Sequence, residues 1–181
     1  MRRSLLVNAL FAIGLGSLVS ACATTTPPTV KPVANIDLPR FMGDWYVIAA
    51  IPTFLEKGAH NAKDTYVLAP DGTIPTTFTF NADGFDGPRK SYGSKGFIMD
   101  GGAGAVWGQQ YIWPIKADYR ISYLSSDYTQ TVITRDKRDY VWILARTPTI
   151  PEADLAKLIA FVGTQGYDTA KIQRVPQASG K

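Results

Sequence analysis

Eight short runs of β-forming residues follow one another along the chain, each closed by turn residues. They are Asp44 to Ala50, Thr65 to Leu68, Ile74 to Phe80, Lys90 to Met99, Ala105 to Trp113, Tyr119 to Leu124, Thr129 to Thr134 and Tyr140 to Arg146. Between them stand Pro70-Asp71-Gly72, Asp83-Gly84, Asp86-Gly87-Pro88, Asp100-Gly101-Gly102, Pro114, Ser125-Ser126-Asp127 and Asp136-Lys137-Arg138-Asp139. Proline presets φ, glycine reaches positive φ, and aspartate and serine bond to nearby backbone, so these segments read as tight reversals. Connections this short cannot carry a parallel crossover, and successive strands therefore pair antiparallel in an up-and-down order. The Pro52–Asn61 connection is the long one. His60, the single histidine, falls in its polar end and reads as a solvated surface residue.

A helix follows the strands. Leu155, Leu158, Ile159 and Val162 recur at helical spacing and form one apolar stripe suited to lie on a sheet. Thr149 with Glu152 fits a capping box, Pro151 suits a first turn, and Gly163 and Gly166 end the helix. Lys171 to Val175 reads as a ninth strand, and 177–181 as a loose tail.

The N-terminus has a different logic. Arg2 and Arg3 precede an apolar run from Leu5 to Leu18, and Val19-Ser20-Ala21-Cys22 follows. That is the pattern of a bacterial lipoprotein processing signal over residues 1–21, with Cys22 the acylated first residue of the mature chain. The run is too short and too glycine-rich for a membrane span. Residues 22–35 are rich in Thr, Pro, Ala and Val, and read as an extended tether. The folded domain then covers 36–176.

Composition excludes several functions. The full chain carries 19 basic and 15 acidic side chains, and removing Arg2 and Arg3 leaves 17 against 15, a net of +2. That is no nucleic-acid footprint. One histidine and one lipidated cysteine make a poor metal set and no disulfide. No serine or cysteine nucleophile is placed for catalysis, and no Gly-rich phosphate loop opens a helix. No catalytic residue, metal or cofactor is assigned.

Alternation supplies the candidate site. Ile74, Thr76, Phe78 and Phe80 share one side of their strand. So do Trp107, Gln109, Tyr111 and Trp113; Tyr119, Ile121 and Tyr123; and Tyr140, Trp142 and Leu144. If the sheet closes, these sets face one interior, either a solid aromatic core or a lined pocket. Eight strands are just wide enough to hold one small ligand, and Gln109 and the tyrosine hydroxyls are better tolerated in a partly wet pocket. Phe78, Phe80, Trp107, Gln109, Tyr111, Tyr119, Ile121, Tyr123 and Trp142 are the candidate ligand-binding residues.

These residues also carry a family resemblance. Phe41-Met42-Gly43-Asp44-Trp45-Tyr46 resembles the Gly-x-Trp opening of the first lipocalin strand. Ile51-Pro52, Leu55-Glu56-Lys57-Gly58, Thr65-Tyr66, Asp127-Tyr128 and the run Arg138 to Pro148 follow at the expected separations. The last run is similar to bacterial outer-membrane lipocalins and to apolipoprotein D. The resemblance implies an all-β, eight-stranded antiparallel up-and-down barrel with one C-terminal α-helix packed outside. It implies that Gly43, Trp45 and Arg146 are a structural signature at the closed end, with Arg146 across the indole. It further implies a lipid-anchored outer-membrane carrier facing the periplasm. The ligand would be a fatty acid, lysophospholipid or similar amphiphile, and the membrane is engaged through lipidated Cys22. A homodimer is retained as an assembly. Two alternatives stand: an isomerase or epoxide-handling enzyme on the same barrel, with Lys95 the side chain to inspect, and a structural protein with a filled barrel.

Overall fold

The computed structural model of the protein describes residues 28–101 and 103–178. The expectations placed on residues 1–27, Cys22 among them, and on 179–181 lie outside that range.

A one-turn helix α1 (Leu38–Phe41) leads into eight strands: β1 (Gly43–Ile51), β2 (Ala59–Tyr66), β3 (Ile74–Ala82), β4 (Arg89–Ile98), β5 (Val106–Ile112), β6 (Ile115–Leu124), β7 (Gln130–Thr134) and β8 (Val141–Ala145). Each pairs antiparallel with the next. β1 closes the ring by pairing with β2 through its first half and with β8 through its second. The helix α2 (Glu152–Thr164) follows, and β9 (Gln173–Arg174) adds to β1 at Ala49 and Ala50. The antiparallel up-and-down order expected from the turn spacing, closed into the eight-stranded barrel that the resemblance implies, is the fold observed.

Two apolar layers result. Trp45, Val47, Tyr66, Ile74, Trp107, Ile121, Ile133 and Leu144 point inward. Ile48, Ile51, Val132, Val141 and Ile143 point outward, where α2 covers them with Leu155, Leu158 and Val162. The predicted stripe is therefore the buried face of the helix, packed on the outside of the barrel.

Several local expectations are corrected. β2 begins at Ala59 rather than Thr65, so the connection after β1 is short and His60 is a half-buried strand residue with its ring edge on Phe85. Asn61, at φ 51°, bulges the strand and disrupts its alternation, which hid it. The capping box does not form: Pro151 is the cap and has no side-chain acceptor, while Glu152 pairs with Arg174 instead of reaching back. Gly163 lies inside the helix; Gly166, at φ +85°, follows its end. The tail is held at its start, where Gln177 Nε2 donates to the carbonyls of Val47 and Ala62 and the Ala178 amide to Asn61.

The stretch 28–35 is extended but does not hang free. Val30 is buried, its amide donates to Asp136 Oδ1 at 2.8 Å, and Arg138 Nη2 donates to the Pro28 carbonyl at 2.6 Å. The Val33 amide then donates to Ile121 O, and Ile36 to Ala103 O. Hydrogen bonds that tie the backbone at four points make this segment a strap along the barrel wall.

Candidate ligand cavity

The barrel has one plugged end. α1 lays Phe41 across it, 5.0 Å from Trp45 and 5.7 Å from Tyr66 and Trp107. Trp45 Nε1 donates to Phe41 O at 2.8 Å, and Trp107 Nε1 to Gly104 O at 2.7 Å, so neither buried indole leaves a polar atom unpaired. Arg146 closes this end from outside. Its guanidinium lies 3.9 Å from the Trp45 ring and donates to the carbonyls of Asp44, Arg40 and Phe41.

Above the plug the barrel is not filled. A cavity of about 480 Å³ opens between the strand ends, within the range of roughly 300–1,000 Å³ typical of small-molecule sites. Phe78, Gln109, Tyr111, Tyr119 and Trp142 line it, as their strand phases predict. Thr53, Phe54, Leu55, Tyr92, Ile112 and Tyr140 form its upper wall and rim.

The other candidates lie elsewhere. Trp107 and Ile121 face inward but belong to the packed floor, where Trp107 stacks under Tyr119 with ring centres 5.3 Å apart. Phe80 is buried behind Phe78 and Tyr92. Tyr123 is outside the barrel, its ring 5.5 Å from Phe161 of α2. The cause is a bulge: Ile121 pairs with Ile133 and Tyr123 with Val132, so Ser122 is an extra residue that reverses the faces beyond it. Trp113, grouped by phase with Trp107, lies past the end of β5 in the hairpin to β6 and is exposed.

Sequence reasoning missed the polar belt of the cavity. Asp64, on the inward phase with Ala62 and Tyr66, accepts from the Tyr66 hydroxyl at 3.1 Å; that hydroxyl meets Tyr119 OH at 2.5 Å. Burial, with the nearby Glu56 charge adding to it, pushes the Asp64 carboxyl up to about 7 despite the Tyr66 bond. Glu56 is also raised, chiefly by burial, against the opposing bonds from the Thr53 amide at 2.6 Å and Trp142 Nε1 at 3.0 Å. Burial likewise raises the Tyr66 and Tyr119 phenols well above their ordinary range, so both stay neutral donors. The alternation Ala62-Asp64-Tyr66 was the available signal, but the charged, bulged strand did not read as one.

Gln109 completes the belt. Its Nε2 donates to Ser94 Oγ at 2.7 Å, while its buried Oε1 has no partner among the described residues. Gly96 makes room for it, since a Cβ there would stand 2.9 Å from Oε1 and 3.3 Å from Ile74 and Trp107. The site thus has an aromatic wall, a polar waist and an open mouth. It can bury an apolar chain and keep a charged head outside, where ionised groups remain hydrated.

Comparison with known proteins agrees with this geometry. Residues 36–177 match the model of the lipocalin-like domain. The outer membrane lipoprotein Blc of Escherichia coli K12 is 31% identical over 88% of this chain and 90% of its own length. Apolipoprotein D of Rattus norvegicus is 28% identical over 85% of this chain and 82% of its own. In three dimensions, insecticyanin from the tobacco hornworm Manduca sexta superposes with a TM-score of 0.62 at 15% identity, covering 82% of this chain and 85% of that one.

Proposed function

The chain belongs to the lipocalin family, and on that premise we propose that it is a lipid-anchored carrier of fatty acids, lysophospholipids or similar amphiphiles at the outer membrane, facing the periplasm. The observation that carries this reading is the cavity: about 480 Å³ of space walled by Phe78, Tyr111, Tyr119 and Trp142 above a sealed floor. An acyl chain entering it gains about 25 cal/mol per Å² of apolar surface removed from water. The head group stays at the rim, because a third carboxylate beside Glu56 and Asp64 would be repelled by both.

Anchorage rests on Cys22 and the apolar run before it. No helix among the described residues is long and apolar enough to cross a membrane. Ala23 follows the cysteine, without the aspartate that favours inner-membrane retention, and the Escherichia coli relative bears the name outer membrane lipoprotein.

The test is mass spectrometry of lipids extracted from protein purified with its native membrane, paired with a fatty-acid titration. A single-chain lipid at about one per protein is expected. Folded protein that holds no lipid and gives no saturable titration would rule the carrier out.

A second reading has one observation in its favour. Asp64, titrating at about 7 and bonded to Tyr66, faces the cavity as a general acid or base of an isomerase or epoxide-handling enzyme would. Lys95 offers nothing to such a site, being exposed on the outer surface. In the enzyme reading Asp64→Asn abolishes turnover of a bound substrate; in the carrier reading it alters only the pH dependence of binding.

A further inference from the structure

We propose that the mouth of the barrel docks on the bilayer surface, with the β1–β2 and β5–β6 connections inserted among the lipid head groups, so that ligand passes between membrane and cavity without crossing water. The inference rests on the anchored-carrier reading and adds an orientation and a membrane-contacting surface to it.

The first observation is the strap. Ile51 pairs with Val141, Ala59 with Ala82, Ile112 with Ile115 and Arg120 with Thr134, which sets the β1–β2, β3–β4, β5–β6 and β7–β8 connections at one end, the mouth. Pro28 and Val30 are bonded to Arg138 and Asp136 of the β7–β8 connection. Ile36 is bonded to Ala103, in the β4–β5 connection at the closed end. The chain therefore enters at the mouth and runs down the wall.

Cys22 precedes Pro28 by six residues. At no more than about 3.6 Å per residue, that stretch reaches roughly 20 Å. β1 has nine residues, and at ~3.3 Å rise and ~40° tilt the barrel stands about 23 Å high before its loops are added. A barrel resting on its closed end would hold Pro28 beyond the reach of an acylated Cys22. With the mouth down, the anchor is easily accommodated.

The second observation is independent of the anchor. Phe54 (76% exposed) and Leu55 stand on one rim connection, and Ile112 (72%), Trp113 (82%) and Ile115 on another. The β7–β8 connection, where the strap begins, lies between these two around the ring. Large apolar side chains gathered on the rim of an amphiphile cavity mark an interaction surface, and tryptophan prefers the head-group region of a bilayer.

The test uses the full processed chain reconstituted in phosphatidylethanolamine–phosphatidylglycerol vesicles that carry bromine high on the acyl chain. Trp45 and Trp107 are buried in the floor and Trp142 faces the cavity, so Trp113 is the indole that bilayer lipid can reach. Bromolipid should quench one emission component, and Trp113→Phe should remove it. Trp113→Ser with Ile115→Ser, neither of which lines the cavity, should slow transfer of a fluorescent fatty acid from vesicle to cavity roughly tenfold or more, about 1.4 kcal/mol of barrier, while leaving its affinity in vesicle-free solution unchanged. Anchored protein that binds fatty acid, yet whose Trp113 is untouched by bromolipid and fully open to aqueous acrylamide, would overturn docking and leave the carrier standing. Trp113 shielded from acrylamide without vesicles, in a chain that sediments as a dimer, would assign the rim to a second copy and also overturn it. Bromolipid quenching in protein that binds no fatty acid would uphold docking and remove the carrier.

Discussion

Arg146 lies with its guanidinium 3.9 Å from the ring of Trp45, and the two residues bond the same carbonyl of the short helix α1. Trp45 Nε1 and Arg146 Nη2 both donate to the Phe41 carbonyl. Arg146 adds bonds to Arg40 and Asp44 and to Tyr128 of the β6–β7 turn. One cation thus satisfies carbonyls from α1, β1 and a turn, and the lid of the barrel depends on it.

Stability, not ligand choice, should follow this pair. Trp45→Ala removes a fully buried indole and should cost about 3–5 kcal/mol. Arg146→Ala should cost about 1–3 kcal/mol through the orphaned carbonyls and lost stacking, and Arg146→Lys should recover little, lacking the planar fork. Denaturant midpoints measure both. A variant that kept its midpoint but changed its preferred fatty acid would contradict the assignment of this end as structural.

Asp64 should make the protein less stable as pH rises. Its folded value of about 7 lies above the ordinary 3.8, so between these pH values the unfolded chain has lost a proton that the folded chain retains. The stability it contributes is complete below 3.8 and is lost as pH climbs through about 7. Glu56, also raised, acts in the same direction. Denaturant midpoints compared at about pH 5 and about pH 8 should fall in the wild type and fall less in Asp64→Asn. Fatty-acid affinity should drop over the same interval, since the cavity then gains a negative charge. Equal slopes in wild type and variant would sink this account.

The up-and-down order of strands was legible because turn chemistry and period-two alternation are local, whereas closure into a barrel was implied only by the family resemblance. Alternation also carried Phe78, Gln109, Tyr111, Tyr119 and Trp142 to the cavity wall. It failed at Tyr123 because one extra residue, Ser122, inverts the faces, and a bulge in one strand is visible only through its partner's register. It could not separate Trp107 from Tyr119, since inward phase says nothing about depth and the floor is built by Phe41 from outside the strands. Asp64 was passed over because a carboxylate in a polar, bulged segment reads as surface until the barrel closes around it.

Cys22→Ser should leave the barrel folded and free the protein from membranes. Strand pairing around the barrel and the bonded strap from Pro28 to Ile36 hold the described domain through contacts that do not include the lipidated residue. Fractionation with and without detergent measures it. Recovery of the variant in the detergent-requiring fraction, with its signal removed, would contradict the anchor assignment.

The sharpest test of the cavity sets residues of opposite phase against each other. Tyr119 and Trp142 face the cavity with ring centres 6.2 Å apart, and Trp142 also holds Glu56 at the rim. Tyr119→Ala and Trp142→Ala should each weaken binding of a long-chain fatty acid, by about tenfold or more if ~1.4 kcal/mol of wall contact is lost. Arg120 points outward, bound to Asp118 and Asp136, and Val141 is buried beneath the helix side of the sheet. Arg120→Ala and Val141→Ala should lower the melting temperature and leave affinity nearly unchanged. One titration and one melt on the four variants distinguish the outcomes. A reversed pattern would mean that the register is wrong by one residue, because such a slip exchanges every face. Destabilisation by all four, with no saturable binding in the wild type, would mean that the cavity takes no amphiphile.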